Sequence, residues 1–104
     1  MDNFRTIYKI LSTLEAALDY PAFDIDQISA EKLGISEARR ACYLEMMADT
    51  GLIKGVKASL NIMGELEIRD AGIKITLAGL EYLSENTIMK RIYNAAKGVT
   101  DLIP

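Results

Sequence analysis

Ile75-Thr76-Leu77-Ala78-Gly79-Leu80-Glu81-Tyr82-Leu83-Ser84-Glu85-Asn86 is the stretch that decides the fold. Ile73 and Ile75 alternate with Lys74 as a half-buried strand does, and the apolar period then lengthens so that Leu77, Leu80 and Leu83 share one helical stripe. Thr76 stands at the change. Its hydroxyl can cap the first free N–H groups of a helix, and its branched Cβ suits the end of a strand. Gly79 inside a helix costs about 1 kcal/mol relative to Ala, which points to another backbone passing close on that side. A strand that runs through Thr straight into such a helix is the return strand of a wing entering the closing helix of a winged helix-turn-helix, an α+β fold.

Upstream, Leu52 to Ile62 reads as the partner strand. Val56, Ala58, Leu60 and Ile62 alternate with Lys57, Ser59, Asn61 and Met63. Gly64 permits the reversal, and Leu66 and Ile68 begin the return with Glu67 and Arg69 on the other face. Asp70-Ala71-Gly72 interrupts that return, either as a bulge in one long hairpin or as the start of a third short strand.

Before the hairpin lies a helix from Glu37 to Thr50, capped by Ser36 and stopped by Gly51. Its inward side holds Met47, Leu44 and Tyr43 or Arg40, leaving Ala38, Arg39, Cys42, Glu45, Met46 and Asp49 more exposed. A brief helix capped by Ser29 and ended by Gly34 precedes it, so the pair forms a helix-turn-helix over about residues 26–50. Ahead of this, Phe4, Ile7, Tyr8, Leu11, Leu14 and Leu18 make the stripe of a first helix that Pro21 closes. Ala22-Phe23-Asp24-Ile25 follows as an extended link or edge strand. The wing then occupies about 52–75 and C-terminal helices about 76–103, the last carrying a stripe of Ile88, Ile92, Ala96, Val99 and Ile103 behind a Thr87 cap. One domain over residues 1–104 is expected, with Leu11, Leu14, Leu44, Met47, Ile75, Leu80 and Leu83 in one core.

Composition narrows the function. No apolar run approaches the roughly 18 residues of a membrane span, and there is no basic region followed by an apolar stretch at the start. A single cysteine, Cys42, fits a reducing cytoplasm. Histidine is missing, no glycine-rich phosphate loop joins a strand to a helix, and the carboxylates are scattered. A non-enzymatic protein without catalytic residues, cofactor or metal is therefore expected.

The sequence also resembles the YjcQ-like winged-helix proteins of Gram-positive bacteria and their prophages. The similarity is carried by Gly51-Leu52-Ile53-Lys54-Gly55-Val56 and by Ile73 through Asn86, and it continues through Lys90, Tyr93, Lys97-Gly98 and Leu102-Ile103-Pro104. The resemblance implies a winged-helix fold and transfers no catalytic residue.

Two functional readings follow. In the first, the chain binds double-stranded DNA as a bacterial or prophage regulator, with the third helix in the major groove. Ser36, Arg39, Arg40 and Tyr43 are then the candidates at base edges or the adjoining phosphate, and Lys32, Lys54, Lys57, Arg69 and Lys74 the backbone contacts. In the second, the scaffold serves protein interaction or dimerisation without DNA. Charge favours the second: residues 1–50 hold five basic and nine acidic side chains, residues 51–104 seven and six, and the pI is about 4.9. A homodimer through the terminal helices would cover the last apolar stripe and set paired recognition helices about 34 Å apart.

Overall fold

Three hydroxyl side chains begin three of the helices. In a computed structural model that describes residues 3–86 and residue 95, Ser29 Oγ accepts from the Lys32 N–H at 3.2 Å, Ser36 Oγ from Arg39 N–H at 3.1 Å, and Thr76 Oγ1 from Gly79 N–H at 3.1 Å. They start α2 (Ala30–Leu33), α3 (Glu37–Asp49) and α4 (Leu77–Glu85). Before them lies α1 (Asn3–Ala16), followed by 3-10 turns at Ala17–Asp19 and Ile25–Ile28. Between α3 and α4 runs a two-stranded antiparallel hairpin of β1 (Ile53–Leu60) and β2 (Leu66–Ile75). Helix, helix-turn-helix, hairpin and closing helix follow the order of a winged helix.

The interruption at Asp70-Ala71-Gly72 is a bulge within one long strand. Lys54 pairs with Lys74 and Val56 with Asp70, so one residue of β1 faces three of β2. Asp70 Oδ1 holds the extra residues by accepting from the Gly72 and Ile73 N–H groups at 2.9 and 2.8 Å. On the facing strand Gly55 has φ of +81°, and a Cβ there would collide with the Gly72 carbonyl. Only glycine fits.

Gly79 is explained in the same way. A Cβ at this position would overlap the Leu52 carbonyl oxygen and the Ile75 side chain, so its absence lets α4 lie directly on the root of the hairpin. Thr76 clamps that root by donating its hydroxyl proton to the Gly51 carbonyl, while its backbone N–H donates to Leu52 at 3.1 Å.

The core gathers Ile10, Leu11 and Leu14 of α1, Ile28, Leu44 and Met47 of α3, Ile53 at the start of β1, Ile73 and Ile75 at the end of β2, and Leu83 of α4. Each fully buried large side chain supplies about 1.5–3 kcal/mol from water exclusion. Leu80 packs against this cluster half-buried.

Several apolar residues depart from their expected stripes. Phe4, in the first turn of α1, and Leu18, in the 3-10 turn beyond its end, are exposed and Ile10 is fully buried, because the core meets α1 only between Thr6 and Leu14. Leu77 lies at the first turn of α4 and faces solvent. Ala22–Ile25 adds no edge strand: the described sheet has two strands, Asp24 is extended, and its side chain caps the following 3-10 turn by accepting from the Asp26 N–H at 3.0 Å. The stripe Ile88, Ile92, Ala96, Val99 and Ile103 lies outside the described residues.

Candidate nucleic-acid interface

The polar residues of the helix-turn-helix are engaged with the protein itself. Ser36 spends its oxygen on the α3 cap. The Arg40 side chain is only 11% exposed; Nε donates to the Ile28 carbonyl at 2.6 Å, and Nη1 lies 3.8 Å from Glu37 Oε2. This bracket joins α3 to the turn before α2. Tyr43 is buried, and its hydroxyl donates to Asn3 Oδ1 of α1. Arg39 is exposed, yet its guanidinium donates to Asn3 Oδ1 at 3.0 Å and to the Tyr43 hydroxyl at 3.2 Å. Of the four candidates for base edges, Arg39 alone presents a charged group at the surface of α3. Lys32 is also at the surface, 4.0 Å from Asp26.

The space between α3 and the wing is acidic. A cleft of about 840 Å³ there is lined by Glu37, Glu65 and Glu67 together with Arg40 and Arg69. A phosphate backbone entering this cleft would meet three carboxylates, with one of the two cations already beside Glu37.

The four cations of the hairpin have a different arrangement. Lys54 stands directly opposite Lys74, and Lys57 opposite Arg69, so each pair shares a sheet face. Ile53, Ile73 and Ile75 are buried and Val56 and Ile68 pack against the core, so Lys54, Lys57 and Lys74 stand exposed beside inward neighbours, while Arg69, also exposed, lines the cleft toward α3. The bulge matters here. Between the two pairs one residue of β1 spans three of β2, so the bulge separates Lys54–Lys74 at the root from Lys57–Arg69 further out. Among the described residues none of the four makes an ion pair. Glu67, opposite Ser59, borders the row, and its carboxylate accepts from Asn61 Nδ2 at 3.5 Å. Basic residues are legible one by one in the sequence, but their pairing across the hairpin depends on a register shift that sequence spacing does not reveal.

Comparison with known proteins gives a match over nearly the whole chain: the family described as "YjcQ protein" covers residues 8–102. The chain belongs to the YjcQ family. No curated protein and no solved structure matches it. The matched span of this YjcQ protein includes α2, α3, the whole hairpin and α4, so the basic row and the acidic cleft both lie within the family's region. Among its described residues no helix is long and apolar enough to cross a membrane.

Proposed function

We propose that this protein binds double-stranded DNA through the outward face of its wing, with α3 serving mainly to hold the domain together. The observation that carries the reading is the stacked pair of like-charged positions, Lys54 opposite Lys74 and Lys57 opposite Arg69. Like charges directly opposite each other destabilise a hairpin by some tenths of a kcal/mol, and here none of the four forms an ion pair among the described residues. A phosphate backbone supplies the missing negative charge in a row, and release of its counterions drives binding without any base contact. The net charge of −3 and the acidic cleft oppose deep docking of α3 in a groove, which makes contact through the wing the more favourable geometry.

Fluorescence anisotropy with labelled duplexes at low and moderate salt tests this. Lys57→Ala and Lys74→Ala should each weaken all duplexes alike and flatten the dependence of log K on log salt by about one unit. Loss of discrimination between sequences in Arg39→Ala would return base reading to α3. No binding at low salt across a broad fragment library would overturn the proposal.

A further inference from the structure

The tip of the wing carries a second kind of surface. Leu60, Ile62 and Met63 are 70%, 103% and 78% exposed, so three large apolar side chains within four residues contribute little to the core. Single exposed apolar residues are ordinary; a contiguous group is not. Turn geometry does not require them either, since the middle positions of such a turn favour Pro, Asp, Asn or Gly.

The loop that presents them is tightly bonded. Gly64 N–H donates to the Asn61 carbonyl at 2.9 Å, and Asn61 Oδ1 accepts from the N–H groups of Met63 and Glu65, both at 2.9 Å. Asn61 Nδ2 meanwhile donates to Glu65 Oε1 at 3.1 Å. The result is a preorganised apolar prong with two carboxylates, Glu65 and Glu67, at its base. Preorganisation lowers the entropy lost on docking.

A matching surface occurs elsewhere on the same chain. Between α1 and α3 runs a groove of about 620 Å³, lined by Phe4, Ile7, Ala38, Cys42 and Met46 and bordered by Arg39. Phe4 and Met46 are 59% and 51% exposed. The volume is in the range that takes a small ligand or a few side chains. The prong is apolar with acids beside it, and the groove is apolar with a cation beside it.

From this complementarity of shape class and charge we propose that the wing tip of one copy docks in the α1–α3 groove of a second copy, with Ile62 and Met63 in the groove and Glu65 and Glu67 facing Arg39. A reciprocal pair of such contacts closes a two-fold dimer; a one-way contact would continue into a chain of copies. Either arrangement covers the α1–α3 groove.

Sedimentation velocity of the full chain between about 1 and 100 µM tests the proposal, a range that brackets weak reversible association. Self-association is expected, weakened roughly tenfold or more by Ile62→Asp combined with Met63→Asp. Both positions are exposed, so the thermal midpoint should not move. Arg39→Glu should weaken association as well, and adding Glu65→Lys and Glu67→Lys to that chain should restore it. A monomer at every concentration overturns the proposal. So does association that ignores the tip pair and disappears with Ile92→Asp and Val99→Asp, because that result would place the contact on the C-terminal stripe.

Discussion

In the helix-turn-helix, Ser29, Ser36, Arg40 and Tyr43 all bond to the protein itself; in the wing, Lys54, Lys57, Arg69 and Lys74 form no ion pair among the described residues, and Leu60, Ile62 and Met63 face solvent. The segment with the architecture of a reading head is thus occupied with its own integrity, while the appendage carries the uncommitted chemistry. A helix-turn-helix locates a possible contact surface, but bonding partners decide whether its side chains are available.

The largest test of this contrast compares cores. Leu44 is fully buried in α3, and Leu44→Ala should cost about 2–5 kcal/mol through lost burial and a cavity, lowering the thermal midpoint by many degrees. Ile62→Ala at the tip should stay within about 0.5 kcal/mol of the parent. Equal losses at the two sites would mean that the wing tip is packed and the contrast is false.

Arg40→Ala comes next. It strips a charged donor from the Ile28 carbonyl, an interaction worth about 1.5–3 kcal/mol, and removes the aliphatic stem that covers the core. Chemical denaturation should show that loss, and Arg40→Met should recover part of it by restoring the stem. An Arg40 variant of unchanged stability with altered DNA selectivity would move this residue from bracket to reader.

Ser36→Ala should cost about 1 kcal/mol by leaving an α3 N–H uncapped, again seen as a shift in the denaturation midpoint. The smallest expected effect has the opposite sign. Lys57→Ser separates a like-charged pair and should stabilise the hairpin by a few tenths of a kcal/mol while weakening duplex binding. A variant that is less stable and equally competent for DNA would contradict the proposed use of the row.

Local chemistry made most of the helix boundaries readable. Ser29, Ser36 and Thr76 start helices because a hydroxyl satisfies free N–H groups, and this rule depends on only a few neighbouring residues. Gly79 likewise announced a close backbone, and Leu52 supplies it. Periodicity served less well where an element outruns its partner. Phe4, Leu18 and Leu77 repeat apolar character past the edge of the core, and nothing in a helical stripe says where the opposing surface ends. Ile10 was missed for a related reason: neighbours on both sides of α1 widen its buried face beyond a single stripe. At the candidate interface, Arg40 and Tyr43 had both an inward and an outward reading, and only the Ile28 carbonyl and Asn3 side chain, distant in sequence, show how each is held.

The clamp at Thr76 and Gly79 has a consequence for how such a molecule can vary. Both legs of the hairpin are tied together at Gly51 and Leu52, so its root is defined by contacts that do not involve the loop at the far end. Insertions made in matched pairs beyond Leu60 and before Leu66 would lengthen the wing by about 7 Å for every two residues in each strand without shifting the seat of α4. Even-numbered insertions would keep every side chain on its present face; odd ones would turn the tip over. Reach is therefore an adjustable property of this architecture, open to change while the helical body stays as it is.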